Sequence, residues 1–424
     1  MSSTINQKSS QTPAAKPRFF YGYVIVTVAF IIMLAIFGIN YSFGIFFKPI
    51  LAEFGWTRAI TTGAFSLAWI VTGLISIFMG ALNDRLGPRV VLSLCGFLSG
   101  LGYVLMSQIT SLWQLYLFYG VIIGAGISAF IPMVSTVARW FVRRRSMMTG
   151  IVAAGIGAGA LIVPPLANLL IVRYQWRTSY MILGIIVIVV VILCSQFLKR
   201  DPAQTGQLPH GENEAIAADS NIEIAPFSLK EATRTRQFWM VFTMLFCSGF
   251  CLYAIQVHLA PHVTDAGISA STAATVLAAM GGASIVGRAV LGSIGDKIGN
   301  RQAYLMGYAL IAAALLWLMA SRELWHFYLF AVIFGLAYGN CDTQQSPLVA
   351  ALFGLTSHGL IFGFIALGYS IGAALGPFVA GYIYDITSNY QMAFLICAIV
   401  GVAGIIVSVL VRPTREKGRQ EIPT

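Results

Sequence analysis

The segment Gly80-Ala-Leu-Asn-Asp-Arg-Leu-Gly-Pro-Arg89 returns 212 residues later as Gly292-Ser-Ile-Gly-Asp-Lys-Ile-Gly-Asn-Arg301. The segment at 112–118, Leu-Trp-Gln-Leu-Tyr-Leu-Phe, returns at the same spacing as Leu-Trp-His-Phe-Tyr-Leu-Phe at 324–330. Coincidental similarity between apolar helices would not keep charged loops in register. The chain is therefore expected to consist of two copies of one structural unit.

The composition is that of an integral membrane protein. Hydrophobic residues make up 58% of the 424 residues and charged residues only 10%, whereas soluble domains have about 25% charged residues. So few charges cannot cover a soluble surface, which argues against a soluble enzyme, a disordered chain and a nucleic-acid binder. The six cysteines lack CxxC spacing, and the pattern indicates neither a disulfide framework nor a metal site.

Apolar stretches of about 20 residues are long enough to cross a bilayer as helices. The sequence predicts an all-α membrane protein in which twelve such helices form two six-helix bundles. The predicted spans are 20–47, 59–81, 89–107, 112–138, 147–170, 178–198, 238–261, 271–293, 302–320, 324–349, 359–383 and 391–411.

The polar segments give the predicted domain boundaries. No cleavable signal peptide is expected, because the first apolar run is too long and lacks a small-residue cleavage site. The predicted parts are a disordered tail at 1–18, a first bundle at 19–198, a linker at 199–237, a second bundle at 238–412 and a tail at 413–424.

The distribution of Lys and Arg predicts the orientation of the chain. Most of the 26 basic residues fall in loops on the side that holds both termini. Because positive loops stay inside, both termini are expected to be cytoplasmic, in a multi-pass protein of the cell (inner) membrane. The net charge of +11 then reflects topology, with anionic lipid as a partner and no nucleic acid. The opposite side holds only Lys48, Arg58, Arg173, Arg177 and Arg322.

The repeated GxxxDRxGxR-like loop resembles the signature of the major facilitator superfamily, and the resemblance covers essentially the whole chain. It implies that the loop is a gating latch, in which Asp caps a helix start and meets a cation on a moving neighbour. The alternative is that these residues have no gating role and only anchor loops at the lipid surface. The predicted gating residues are Asp84, Arg85, Arg89, Asp296 and Arg301.

Two ionisable residues lie well inside predicted spans, where a charge costs at least a few kcal/mol. Arg288 can offer a bidentate fork to a carboxylate, or it can only neutralise Asp342. Asp342 can carry a proton or pair with the arginine, or it can orient the polar segment at 344–345. Spacing along the two helices puts Arg288 and Asp342 at comparable depth, so contact between them is possible.

Two motifs resemble the monocarboxylate transporter group and equally the bacterial oxalate–formate antiporter: Asn40-Tyr41-Ser42-Phe43-Gly44 and Phe47-Lys48-Pro49. The aromatic, basic and glycine-containing run at 139–157 resembles the helix-5 motif of the monocarboxylate family. Arg288 falls where both groups keep their substrate-binding arginine. The resemblance therefore implies transport of small organic anions.

The chain departs from these groups at three places. Phe20-Tyr21-Gly22-Tyr23 replaces the acidic-glycine motif of the animal transporters, and Ser284 replaces their Asp four residues before the arginine. The second cation of the antiporter falls at Tyr369. With one intramembrane cation, a dianion would leave a buried charge unpaired, which favours a substrate with one carboxylate.

Four polar side chains are predicted to donate hydrogen bonds to the substrate: Tyr119, Tyr338, Asn340 and Tyr369. For the tyrosines the alternative is ordinary helix packing. Lys48, at the outer mouth, is predicted to steer anions, or else it only extends towards water. His258 is predicted to titrate with coupling, or else it is a hydrogen-bonded interfacial histidine.

These observations lead to one functional hypothesis with an alternative. The chain is expected to be a secondary transporter of lactate- or pyruvate-like monocarboxylates, coupled to protons by symport. The alternative is an organic-anion exchanger of the oxalate–formate type. No phosphate loop, nucleophile–base pair or ligand cluster stands in the spans, so neither a cofactor, a metal nor an enzymatic activity is expected.

Overall fold

A computed structural model describes residues 20–141, 145–207, 227–291, 298–354 and 358–411. The predicted tails at 1–18 and 413–424, most of the predicted linker and Asp296 lie outside the described residues, as does the side chain of Asp84. Two short helical turns, Pro202–Thr205 and Leu229–Ala232, lie in the described parts of the linker.

The described residues form twelve transmembrane helices, six in each half of the chain. In the first half α1 is Gly22–Tyr41 and Phe43–Phe54, α2 is Arg58–Leu86, α3 is Pro88–Met106, α4 is Leu112–Leu115, Tyr116–Ile123, Gly124–Ile127 and Phe130–Trp140, α5 is 145–174 and α6 is 176–195. In the second half α7 is Arg236–Asp265, α8 is Ala270–Val286 with Gly287–Leu291, α9 is Asn300–Ala320, α10 is Leu324–Phe353, α11 is His358–Thr387 and α12 is Gln391–Leu410.

Helices α5 and α6 are the two arms of one helical run, Arg145–Ser195. A straight helix of 51 residues would be about 76 Å long, more than twice the thickness of a bilayer core. The run is broken at Gln175, where φ is 66°. Next to the break, Trp176 Nε1 and Arg177 Nη2 donate hydrogen bonds of 2.7 and 2.6 Å to Glu53 at the end of α1. The chain therefore turns back here, and the run supplies two of the crossings.

The helix ends meet at two opposite faces of the protein. The terminal end holds the described chain ends: Tyr21 Oη donates to Phe197 O, and Arg301 Nε donates to Ser408 O. We call the opposite face the distal end. It contains the loops between α1 and α2, between α5 and α6, between α7 and α8 and between α11 and α12.

The two halves pack against each other mainly through α5 on α8, α2 on α11, and the second segment of α1 on α7. Small residues allow the α5–α8 contact. A Cβ atom added to Gly281 in α8 would lie 2.6 Å from Ala160 Cβ and 2.7 Å from Ala160 C in α5. The helix axes can therefore approach closely where the halves meet, which positions the residues of the site described below.

This contact predicts that Gly281→Val destabilises the protein. The added side chain would press on the α5 backbone, and overpacking of this kind costs about 1–3 kcal/mol. We expect the midpoint of thermal unfolding in detergent to fall by several degrees. Gly150→Ala is the matched control, because a Cβ atom there meets nothing within 4 Å. Equal midpoints for both variants would contradict a close α5–α8 contact.

Candidate functional site

Arg288 lies in a short π-helical segment, Gly287–Leu291, that continues α8. Such segments carry an extra residue per turn and change the direction in which a side chain points. Gly287 precedes the arginine, and a Cβ atom there would collide with the backbone carbonyl of Leu336 in α10. The absence of a side chain at 287 thus lets α8 and α10 touch, and α10 is the helix that carries Asp342.

The guanidinium of Arg288 is held by two protein groups. Nη2 donates to Asp342 Oδ2 at 2.9 Å, and Nη1 donates to Ser284 Oγ at 3.0 Å. Ser284 in turn donates to the carbonyl of Gly281 at 2.6 Å. Asp342 Oδ1 accepts from Gln345 Nε2 at 3.1 Å. The contact between Arg288 and Asp342, which spacing left open, is present.

The two partners of this ion pair differ in their access to water. The side chain of Arg288 is 3% exposed, whereas that of Asp342 is 24% exposed. Arg288 does not face lipid, since Gly157 of α5 stands beside it: a Cβ atom on Gly157 would lie 3.0 Å from both Arg288 Nη1 and Ser284 Oγ. The arginine of the second half therefore abuts the backbone of the first half.

Two buried polar atoms beside the ion pair have no hydrogen-bond partner among the described residues: Arg288 Nε and the hydroxyl of Tyr338. The guanidinium carbon lies 5.4 Å from the centre of the Tyr338 ring. Nε and Nη2 form one edge of the guanidinium, and Asp342 occupies only Nη2 of that edge. Because a carboxylate can accept from both nitrogens of such an edge, the site has unused capacity for an anion.

Aromatic side chains from both halves surround the pair. Tyr41 of α1 is buried close to Arg288 and Tyr338. Tyr253 of α7 packs on Trp69 of α2, with ring centres 4.3 Å apart. Tyr369 lies edge-on to Tyr253 at 5.8 Å. The site is therefore lined by both halves of the protein.

Other predicted substrate ligands make contacts within their own half. The Tyr119 hydroxyl accepts from Asn40 Nδ2 at 3.4 Å, and its ring packs on Phe43. Asn340 Nδ2 donates to Ala303 O at 2.6 Å, while Asn340 Oδ1 has no partner in the described part of the chain. Their role as substrate ligands, like that of Tyr338 and Tyr369, stays a prediction.

Lys48 and His258 both lie towards the distal end. Lys48 Nζ forms an ion pair of 2.6 Å with Asp265. His258 is fully buried, with Nδ1 2.9 Å from the Tyr390 hydroxyl and Nε2 2.9 Å from Pro377 O. Neither residue contacts the Arg288–Asp342 pair in the interactions described, and their predicted roles in anion steering and proton coupling stay predictions.

The predicted gating residues that the structure describes lie at the terminal end. Arg85 and Arg89 are exposed near the end of α2 and the start of α3. Arg301 binds the last turn of α12 through Ser408 O at 3.0 Å, where a cation meets the negative end of the helix dipole. The gating role of all five residues stays a prediction.

Sequence reasoning did not assign four of the residues that form the site: Tyr41, Gly157, Tyr253 and Ser284. Tyr41 and Gly157 stood inside motifs that were noted for their family resemblance, and Ser284 was noted only as a departure. Tyr253 had no signal, because an aromatic residue in an apolar helix looks like core. No group of three or more His, Cys, Asp or Glu residues that could hold a metal occurs in the described ranges.

Comparisons with known proteins agree with this architecture. The family model of the Major Facilitator Superfamily matches residues 28–319 and 259–423. A bacterial homologue of the human lysosomal transporter Spinster, solved in an inward-facing and occupied conformation, superposes with a TM-score of 0.71. It covers 94% of this chain and 97% of its own, and at 19% identity it shows the fold alone. The predicted twelve-helix fold is confirmed.

Curated relatives are monocarboxylate transporters. Monocarboxylate transporter 11 of Homo sapiens is 30% identical over 405 residues, which are 91% of this chain and 81% of that protein. Monocarboxylate transporter 13 of Rattus norvegicus is 28% identical over 91% of this chain and 87% of its own. Monocarboxylate transporter 12 of Mus musculus is 25% identical over 97% and 89%. The chain thus belongs to the Major Facilitator Superfamily, and within it to the monocarboxylate transporter-like proteins.

Proposed function

We propose that this protein carries small monocarboxylates of the lactate and pyruvate kind across the cell (inner) membrane, together with a proton, by alternating access. The observation that carries the proposal is Arg288. It is a buried guanidinium between the two halves whose Nε has no partner in the described residues. A membrane-buried cation with spare donors favours an anionic ligand.

The charge of the site favours one carboxylate on the substrate. Arg288 and Asp342 together are neutral, so the empty site can move between the two faces without carrying a buried charge. A bound monocarboxylate would add one negative charge. A dianion would add two, and Arg288 is the one cation within reach of that position in the interactions described.

The second negative charge in the loaded site supports coupling to a proton. A substrate carboxylate that takes the Nε–Nη2 edge competes with Asp342 for Nη2. The displaced Asp342 side chain is 24% exposed and can take up a proton from water. Protonated Asp342, the substrate anion and Arg288 then sum to zero charge. Both the empty and the loaded site are neutral in this scheme, and only these two states reorient readily.

Hydroxyl groups and aromatic rings would form the rest of the substrate pocket. The hydroxyl of Tyr338, which has no partner among the residues that the structure describes, can bond to the carboxylate or to a substituent next to it. Tyr369, Tyr119 and Asn340 remain proposed hydrogen-bond donors, as predicted from the sequence. We propose that both termini are cytoplasmic, which makes the terminal end the inner face and the distal end the outer face.

The variant Arg288→Gln tests the proposed anion site. Loss of the cation leaves the charge of Asp342 without a counter-ion and removes the donors for the substrate, a cost of about 2–5 kcal/mol. We expect uptake of radiolabelled lactate into proteoliposomes to fall at least about 30-fold. Arg173→Gln, which removes an exposed arginine, is the control and should transport normally. Normal lactate uptake by Arg288→Gln would rule out the anion site.

The variant Asp342→Asn, which mimics the protonated acid, tests the proposed proton site. With substrate bound, this variant is neutral, but its empty site carries the uncompensated charge of Arg288 and cannot return. We therefore expect Asp342→Asn to exchange internal for external lactate while it loses net uptake driven by a pH gradient.

Wild-type protein and Glu323→Gln, a change at an exposed acid of the distal end, should show both activities. If the wild-type protein exchanges lactate but ignores an imposed pH gradient, the protein is an organic-anion exchanger of the oxalate–formate type and symport is wrong. Net gradient-driven uptake by Asp342→Asn would assign the proton site elsewhere.

A further inference from the structure

A cluster of charged and aromatic residues joins the two halves at the distal end, away from Arg288. We call it the distal latch and define it as Lys48 and Arg58 of the first half with Asp265, Asp385 and Tyr390 of the second. We infer that the distal latch is the gate at this end, which the transport cycle must break each time the site opens there. The inference rests on the alternating access of the proposed function, but not on the substrate.

Arg58 is the centre of the latch. Its Nη2 donates to Asp265 Oδ2 at 3.0 Å, and its Nη1 donates to the hydroxyl of Tyr390. The guanidinium carbon also lies 3.5 Å from the centre of the Tyr384 ring. The side chain of Arg58 is only 12% exposed, so its charge depends on these partners. All three partners belong to the other half of the protein.

Asp385 adds a second link that does not depend on a side-chain cation. Its two carboxylate oxygens accept from the backbone nitrogens of Arg58 and Ala59 at 2.9 and 2.8 Å. These are the first residues of α2, whose N–H groups have no partner within the helix and whose dipole attracts an anion. The N-terminus of α2 is thus capped by a carboxylate from α11, and it loses this cap whenever the halves separate.

The backbone of α11 comes close enough for this cap because position 381 is a glycine. A Cβ atom on Gly381 would lie 2.9 Å from Thr62 Oγ1 and 3.1 Å from the backbone nitrogen of Ala59. A larger side chain would push α11 away from the first turn of α2. The latch therefore has a steric requirement that is independent of its charges.

The partner of Arg58 is itself held in place by a chain of hydrogen bonds. The carbonyl of Pro377 can only accept, so His258 Nε2 carries the proton that points to it, and Nδ1 accepts from the Tyr390 hydroxyl. The Tyr390 oxygen is then free to accept from Arg58. These hydrogen bonds satisfy both ring nitrogens of the buried His258. They also hold the Tyr390 hydroxyl in the position where it accepts from Arg58.

Lys48 contributes less to closure, because its ion pair with Asp265 is half-exposed and screened by salt. Opening of the latch also changes the charge at the distal end. Asp265 moves away with the second half, so Lys48 and Arg58 lose their common carboxylate partner and lie at the distal opening as two cations. An arriving anion would meet two cations only after the gate has opened.

Spin-label distances across the distal end test the inference. Labels at Arg173→Cys and Arg322→Cys, both exposed and one in each half, report separation of the halves when the six native cysteines are replaced. We expect Arg58→Gln and Asp385→Asn to raise the ratio of long to short distances at least about tenfold, because each removes a charge that joins the two halves in the closed state. Gly381→Val should also raise the ratio of long to short distances, in this case through steric contact alone.

Glu53→Gln is the matched control. Glu53 forms a comparable ion pair of 2.6 Å at the same end, but its partner Arg177 belongs to the same half. Its loss should leave the distances unchanged. If Arg58→Gln, Asp385→Asn and Gly381→Val all keep the wild-type distribution, the distal latch is not a gate. The distances are measured without substrate. If the proposed substrate is wrong, the uptake assays will show it, but the effect of the variants on the distances will be unchanged.

Discussion

A charge inside a membrane must be neutralised in every state that crosses it, and the Arg288–Asp342 pair is where this protein meets that constraint. The guanidinium is almost wholly buried, while the carboxylate keeps access to water. This asymmetry separates the two roles. In the proposed mechanism the arginine keeps its charge and holds an anion, whereas the acid exchanges a proton when substrate takes its place on the arginine. The proposed coupling follows from the balance of these charges.

The fold places the Arg288–Asp342 pair at the interface between the two halves of the protein, so that movement of one half relative to the other changes its surroundings. Arg288 touches Asp342 of its own half through one nitrogen and stands against Gly157 of the other half. The distal latch joins the same two halves at one end, where Arg58 donates hydrogen bonds to Asp265 and Tyr390. The proposed binding and gating residues thus lie on the same interface at different depths, as alternating access requires.

The fold and the two central residues could be predicted from sequence, and the contacts around them could not. Apolar length, the repeated loop and the cost of buried charge were enough to give twelve helices and to select Arg288 and Asp342. A break between residues 170 and 178 could be predicted from the polar residues there, but the φ of 66° at Gln175 and the bonds of Trp176 and Arg177 to Glu53 could not. The latch could not be predicted, because Asp385 binds Arg58 across 327 residues and both look like ordinary loop-end charges. His258 stood out as a titratable residue, but its two hydrogen bonds are set by tertiary packing.

The proposed coupling requires that both the empty and the loaded site cross the membrane without net charge. Proteoliposomes with a trapped pH indicator and a potential clamped by valinomycin and potassium test this requirement. We expect one proton to enter with each lactate, and we expect uptake not to change with membrane potential. Uptake that follows the potential, or that proceeds without proton movement, would contradict it.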